Sequence, residues 1–315
     1  MKTVIPFVSE VSGMERKSWR DALPEALDGI AEVKAFDELS DEERNAAKIA
    51  IVANPDPEKV AALKNLVWVQ SLWAGVERLV KELPEDGPLI VRLTDPQMAE
   101  TMSEAVLAWT LYLHRSMPTY MAQQRAKLWL DHPLKTPQEV TVSVLGIGKL
   151  GQASALRLKA NGFNVIGWSR TPKVIDGLKT YSGHDGLQDV LSQSDIAVLL
   201  MPLTDDTRGL FNETAFANFK SGASLINFAR GPIIKTDALL GALNSGQLNH
   251  AVLDVFDEEP LPETHPFWDH PQVTVLPHIS APTITSTASK IVAQNIGQYL
   301  RTGEIPDAVD RKQGY

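Results

Sequence analysis

Midway along the chain, Gly146-Ile147-Gly148-Lys149-Leu150-Gly151 follows an apolar run, Val142-Ser143-Val144-Leu145, and leads into a helical stretch opened by Leu150-Gly151-Gln152-Ala153. Asn164-Val165-Ile166-Gly167-Trp168 then reads as a second strand, which makes the whole one βαβ unit. G-x-G-x-x-G alone is a weak motif. In this setting it predicts a pyrophosphate held at a helix N-terminus, where unpaired N–H groups and the helix dipole favour an anion. The expected ligand is a dinucleotide.

The end of the second strand selects which one. An NAD site usually places Asp or Glu about 20 residues beyond the glycines, to accept from the ribose 2′-OH, whereas an NADP site places a cation there. Here the strand ends in Trp168-Ser169-Arg170-Thr171, with Lys173 close behind and no carboxylate. Arg170 can stack on the adenine or fork onto a 2′-phosphate, with Ser169 and Thr171 as neutral donors. NADP(H) is the expected cofactor.

At 315 residues the chain has room for two domains, each with its own core. A net charge of −9 without any run of lysine or arginine argues against a nucleic-acid partner. An anionic substrate therefore needs a local positive site. The absence of cysteine rules out disulfides, thiolate metal sites and a cysteine nucleophile. The apolar start, Val4-Ile5-Pro6-Phe7-Val8, is too short before Ser9-Glu10 for a signal peptide, and no later run is long enough to span a bilayer. No membrane partner and a cytoplasmic location are expected.

Residues 1 to about 100 alternate short apolar runs (Val4 to Val8, Ile49 to Val52, Val67 to Gln70, Leu89 to Arg92) with helical patterns at Pro57 to Lys64 and after Ala74, which predicts a parallel sheet with crossover helices. Ser103-Glu104-Ala105-Val106 resembles a capped start of a long connecting helix running towards Leu128. The second unit continues through strands at Ile196 to Leu200, Ala223 to Asn227, His250 to Val255 and Val273 to Leu276. Asn161-Gly162 ends its first helix and Thr236 is placed to cap another. A last helical pattern, Ile284 to Leu300, has no strand partner there and is expected to return to the first domain.

Open α/β sheets bind ligands at the carboxyl ends of their strands. Three loaded segments fall at such ends: Asn227-Phe228-Ala229-Arg230-Gly231, Leu253-Asp254-Val255-Phe256-Asp257-Glu258-Glu259-Pro260-Leu261-Pro262, and Leu276-Pro277-His278-Ile279-Ser280. A cation to polarise an anionic carbonyl substrate, an acid to protonate the developing alkoxide and a carboxylate to keep that acid charged are what ketone reduction requires. Singly, such residues are ordinarily a surface ion pair, a solvated acidic loop and a turn histidine. Their joint placement after a dinucleotide fingerprint reverses that reading. A metal site at His265, His270 and His278 is not expected, because the spacing fits no standard zinc pattern and a strand intervenes.

The ordered set of Gly146 to Gly151, Asn227 to Gly231, Leu253 to Phe256 with Glu259 to Pro262, and Pro277-His278 resembles the D-2-hydroxyacid dehydrogenases over nearly the whole chain. Within that family, Ser71-Leu72-Trp73-Ala74-Gly75-Val76, Trp168-Ser169-Arg170 and Val309-Asp310-Arg311-Lys312-Gln313-Gly314-Tyr315 look most like the glyoxylate/hydroxypyruvate reductase A branch. The resemblance implies that Arg230 binds the substrate carboxylate and carbonyl, that His278 is the acid/base and that Glu259 orients and charges it. Asp254 would bind the nicotinamide carboxamide, and the amides of Ala74 and Gly75 would hold the substrate carboxylate, beside Trp73. Gly146, Gly148, Lys149, Leu150 and Gly151 would serve the pyrophosphate, with Pro202, Thr207 and Ala229 also on the cofactor.

The same resemblance implies two doubly wound parallel-sheet domains: a Rossmann nucleotide domain (102–282) inserted into a flavodoxin-like substrate domain (1–101 plus 283–315), with closure excluding water. It also implies a homodimer through the long helix after Ser103. The expected activity is NADPH-dependent reduction of small 2-oxo acids, glyoxylate and hydroxypyruvate in particular. Two departures stand out: Ser280-Ala281-Pro282 after Ile279, where many relatives carry Ala-Ala-Thr, and small Ala53-Asn54 where the branch tends to carry a large aromatic. The second implies a wider pocket, walled by Trp73 or Tyr315, and leaves bulkier 2-oxo acids as the alternative substrates. A non-catalytic dinucleotide sensor is the rival of another class, and the intact Arg230, Glu259 and His278 argue against it. Phosphite or formate oxidation is disfavoured by the missing acidic residue near Ser169.

Overall fold

A computed structural model describes residues 2–311; Lys312 to Tyr315, and with them the suggested wall residue Tyr315, lie outside the described residues. The chain divides into two compact units, 1–97 with 283–315 and 98–282, so the first break falls at 97/98, against 101/102 expected. No described helix is long and apolar enough to cross a membrane.

The first unit holds five parallel strands, β1 (Val4–Ser9), β2 (Glu32–Ala35), β3 (Ile49–Ala53), β4 (Trp68–Ser71) and β5 (Leu89–Val91). Their order, β2-β1-β3-β4-β5, is the flavodoxin-like one. β3 and β4 are buried along their whole length, which is why they read as unbroken runs with little alternation. Helix Thr285–Thr302 belongs to this unit. Asn295 Nδ2 donates to Gln70 Oε1 (2.9 Å), and Tyr299 meets Trp68 edge-on at 5.6 Å. Thr287 Oγ1 donates to Asp95 (2.6 Å), and Arg311 donates to the carbonyls of Leu83, Pro84 and Pro88.

The second unit is a seven-stranded parallel sheet of β6 (Thr141–Leu145), β7 (Asn164–Ser169), β8 (Lys179–Ser182), β9 (Ile196–Leu199), β10 (Ala223–Asn227), β11 (Leu248–Leu253) and β12 (Val273–Val275). The order is β12-β11-β10-β9-β6-β7-β8, and the connections reverse direction between β6 and β9. Strand pleating sends alternate residues to opposite faces. Leu145, Leu199, Leu225 and Leu253 enter one apolar cluster, and Val144, Val198, Ile226 and Val252 enter the other.

Several local expectations are corrected. The connecting helix starts at Pro96, where Asp95 accepts from the Gln97 N–H (2.8 Å), and ends at His114. Ser103, expected as a cap, is buried inside it, where its hydroxyl donates to Glu100 O (2.8 Å) and accepts from Arg157 Nη1 (3.0 Å). The pattern does not run unbroken to Leu128. Ser116 takes a left-handed conformation (φ 54°) and Pro118 sits in the first turn of a second helix, Met117–Ala126, because proline has no N–H to continue the first. Thr236 is the first residue of its helix rather than a side-chain cap. Ala53 is fully buried in β3, and Asn54 follows in a left-handed turn (φ 47°).

One buried group carries a pH signature. His250 in β11 is 4% exposed, with Nε2 2.9 Å from Thr274 Oγ1 and the ring 6.3 Å from that of Tyr112. Burial, and secondarily the charge of His270, lowers its pKa from 6.5 to about 4. Unfolding therefore takes up a proton between these values. The stability owed to neutral His250 is complete above pH 6.5 and is lost as pH falls towards 4, by roughly 3 kcal/mol. Urea unfolding of wild type and His250→Asn across this range is expected to show the gap between them narrowing by about that amount; a pH-independent gap contradicts it.

Candidate functional site

Because every strand of the second unit is parallel, all its carboxyl ends lie along one edge, and the loops that leave them carry the candidate residues. The glycine turn joins β6 to helix Lys149–Ala160. Gly146 has φ 102°, and a Cβ on Gly151 would come within 2.0 Å of Gly146 O, so only glycine lets the helix seat against the strand. Gly148 differs. A Cβ there would meet nothing within 4 Å, and no side chain caps the helix it precedes. The first amides of the helix, those of Lys149 and Leu150, thus carry no side-chain cap, as a pyrophosphate site requires. Lys173 Nζ reaches the same turn, 3.4 Å from Ile147 O.

At the end of β7, the Ser169 hydroxyl donates to Thr171 O (2.7 Å). In this conformation the Ser169 hydroxyl shapes the turn. Arg170 is exposed, with Nη1 3.3 Å from Asp206 Oδ2. Thr207 is buried; its hydroxyl donates to Pro202 O (2.8 Å) and accepts from the Thr204 N–H (2.8 Å). Its side chain braces the 202–207 loop from inside.

The reactive cluster comes from three loops. Asn227, 1% exposed, accepts from the Ala229 N–H through Oδ1 and donates to Arg230 O through Nδ2 (both 3.1 Å), fixing the turn that presents Arg230. Arg230 Nη1 donates to Ala229 O (2.7 Å). A Cβ on Gly231 would fall 2.0 Å from Phe256 C, so glycine alone allows this turn to touch the loop that carries Glu259. Glu259 Oε1 accepts from the Phe256 N–H (2.9 Å), and Oε2 lies 2.7 Å from His278 Nδ1.

Asp254 is 2% exposed, and its two carboxylate oxygens accept from the Ile279 and Ser280 N–H groups (2.7 and 2.9 Å). It thereby holds the segment next to His278, which adopts φ 53°. A side chain held in this region marks a position that its surroundings over-determine.

The charges of this cluster tune one another. The hydrogen bond and charge of Glu259 raise the His278 pKa, outweighing burial and the repulsion of Arg230. Burial pushes the Glu259 carboxyl up, but hydrogen bonds from His278 and the Phe256 N–H, with the charges of His278 and Arg230, bring it below its usual value. The pair thus favours histidinium beside carboxylate more than either group would alone.

Sequence reasoning placed Arg230, Glu259 and His278, which the structure brings together. It missed Asn227 and the clamp made by Asp254, since neither contact has a signature in spacing. It also missed Asp206, one acidic residue in a polar loop. In the first unit, the Ser71 hydroxyl accepts from the Trp73 N–H (3.1 Å) and donates to Trp73 O (3.0 Å), bracing the turn that continues into Ala74 and Gly75. His265 and His270 each accept a local backbone N–H, from Phe267 and Gln272. Among the described residues no three His, Cys, Asp or Glu side chains are grouped to hold a metal. A cavity of about 170 Å³ lies behind the β11–β12 loop, bounded by Phe256, Leu261 and Phe267 and not by Arg230 or His278.

Comparison with known proteins gives a consistent picture. The sequence profile described as "D-isomer specific 2-hydroxyacid dehydrogenase, NAD binding domain" matches residues 107–280. The chain is 40% identical to a glyoxylate/hydroxypyruvate reductase A of Yersinia enterocolitica, over 85% of this chain and 88% of that one. It resembles the crystal structure of a D-isomer specific 2-hydroxyacid dehydrogenase from Xanthobacter autotrophicus Py2 in complex with NADPH and MES (TM-score 0.91, 37% identity, all of both chains). The NADPH-dependent glyoxylate/hydroxypyruvate reductase of Sinorhizobium meliloti, crystallised with NADP and sulfate, is also similar (TM-score 0.90, 33% identity, all of both chains). With its ordered motifs, its two parallel sheets and these relatives, the chain belongs to the D-isomer specific 2-hydroxyacid dehydrogenase family.

Proposed function

We propose that this chain reduces small 2-oxo acids, glyoxylate and hydroxypyruvate foremost, with NADPH. The observation that carries this reading is the 2.7 Å contact between His278 Nδ1 and Glu259, in a loop cluster shared with Arg230 and at the same sheet edge as the glycine turn. The reductases of Yersinia enterocolitica and Sinorhizobium meliloti support the substrate class, and the bound NADPH and NADP of the structural relatives support the cofactor.

When bound, NADPH supplies the reducing equivalent that adds to the 2-carbon of the substrate. Lys149 and Leu150 amides would hold its pyrophosphate and Arg170 its 2′-phosphate, with Lys173 adding positive charge near the turn. Arg230 binds the carboxylate and draws electron density towards the carbonyl oxygen. His278 Nε2 gives its proton to that oxygen as alkoxide character develops, and becomes neutral while Glu259 stays ionised. Asp254 can accept from the carboxamide N–H₂ with lone pairs left by its two backbone contacts. Ala74 and Gly75 amides, beside Trp73, bind the substrate carboxylate in this reading.

We further propose that the enzyme is a cytoplasmic homodimer. The helices Pro96–His114 and Met117–Ala126 expose Leu111, Met117 and Met121, and the following segment exposes Leu128, Trp129, Leu130 and Leu134, Trp129 completely. That segment is not loose: His132 Nε2 lies 2.6 Å from Gln123 Nε2, and the His132 backbone N–H donates to the Tyr120 hydroxyl (3.2 Å). A pinned apolar surface of this kind is the mark of an interface, and a second copy is its occupant.

Three measurements check these proposals. Steady-state kinetics with NADPH and NADH on glyoxylate, hydroxypyruvate, pyruvate and a phenyl-substituted 2-oxo acid should rank NADPH and the two small acids first; a clear NADH preference or a bulky winner overturns the assignment.

His278→Gln should lower kcat about 10²- to 10⁴-fold, with NADPH affinity measured by fluorescence little changed. Because reduction needs protonated His278, wild-type activity should fall as pH rises through its raised pKa. Glu259→Gln removes the main cause of that shift, so the fall should move to lower pH; an unmoved profile removes Glu259 from this role.

Light scattering should give twice the chain mass, and Trp129→Glu should shift it towards the monomer. A monomeric wild type sinks the dimer.

A further inference from the structure

The exposed cation at the end of β7 faces a carboxylate at the place where a 2′-phosphate is expected. Arg170 Nη1 stands 3.3 Å from Asp206 Oδ2, and neither side chain is buried. The contact joins two braced turns. Ser169 fixes the turn of Arg170 through Thr171 O, and Thr207, the neighbour of Asp206, fixes the 202–207 loop through Pro202 O and the Thr204 N–H. The carboxylate is therefore presented to the guanidinium by the fold on both sides, although nothing in the sequence motif requires an acidic residue there.

We infer that Asp206 is a counter-ion that the cofactor's 2′-phosphate must displace from Arg170, so that it sets how tightly this chain holds the phosphorylated nucleotide. The inference rests on the reading of Arg170 as the 2′-phosphate residue. A phosphate brought to Arg170 places nearly two negative charges beside the Asp206 carboxylate, and one planar guanidinium fork cannot hold both acceptors in its best geometry. Before the nucleotide arrives, Asp206 occupies a guanidinium N–H of the arginine. After it binds, the same carboxylate repels the phosphate and limits its hold, which favours release of the oxidised cofactor. Lys173, anchored at the glycine turn, keeps its positive charge in both states. An adenosine moiety without the 2′-phosphate needs no such exchange and is indifferent to residue 206.

Calorimetric titration of the full chain with adenosine 2′,5′-bisphosphate and with 5′-AMP, at one fixed ionic strength, tests this without turnover. Asp206→Asn should tighten the bisphosphate about two- to fivefold, the range expected of an exposed ion pair, and leave 5′-AMP unchanged. In an Arg170→Gln background the same substitution should give no gain. No gain in the wild-type background, an equal gain for both nucleotides, or a gain that survives Arg170→Gln overturns the counter-ion role. Arg170→Gln alone separates the two ideas. If it leaves the preference for the bisphosphate intact, the 2′-phosphate reading fails. If it abolishes that preference while Asp206→Asn does nothing, only the present inference fails.

Discussion

Asp254 follows the buried last four residues of β11 and has almost no access to water, and a carboxylate in that position is tolerable only if both its oxygens find donors. It finds them in two successive N–H groups, those of Ile279 and Ser280, which belong to the loop leaving the neighbouring strand. That pair of bonds ties β11 to the chain beyond β12 and holds His278, immediately before them, in a left-handed conformation beside Glu259. The imidazole is thus held in place by a buried charge. An apolar residue at 254 would leave both backbone donors without these partners and release the segment that follows His278.

Around this clamp, two cations of the nucleotide-binding unit are set against carboxylates: His278 against Glu259, and Arg170 against Asp206. The consequences differ with burial. His278 and Glu259 are partly screened from water, so each shifts the other's protonation. The Arg170 pair is open to solvent, so its attraction is weak and exchangeable. One fold uses the same chemical pairing twice, once half-buried in a loop cluster and once open to solvent.

Much of this was legible beforehand where a local signal was strong. The interior strands read clearly because a parallel sheet covered on both faces leaves runs such as Ile49-Ala50-Ile51-Val52 with no polar alternation to confuse. The edge strands β2 and β8 were not read, since Glu32-Val33-Lys34-Ala35 and Lys179-Thr180-Tyr181-Ser182 face water on one side and carry too few apolar residues to stand out. Helix ends failed where caps compete: Ser103 looked like a start, yet Asp95 serves that purpose eight positions earlier, and a left-handed Ser116 with Pro118 broke a pattern that apolar spacing made continuous. Hydroxyl contacts were not legible either: Ser169 and Thr207 each close their own turn, because a short hydroxyl side chain reaches its own backbone readily.

By itself, the sequence determined the βαβ unit at Gly146, the parallel architecture that follows from alternating strands and helices, and the identity of Arg230, Glu259 and His278 as the groups with the right chemistry at strand ends. These are properties of local pattern and residue type, and they survive any uncertainty about distances. Only the tertiary structure decided how the groups are held. It set the close approach that Gly231 permits between two loops, the Asn227 and Asp254 clamps, and the carboxylate of Asp206 across from Arg170. Each of these joins positions far apart in the chain, or depends on a contact shorter than a side chain's width, and neither kind of information is carried by residue order alone.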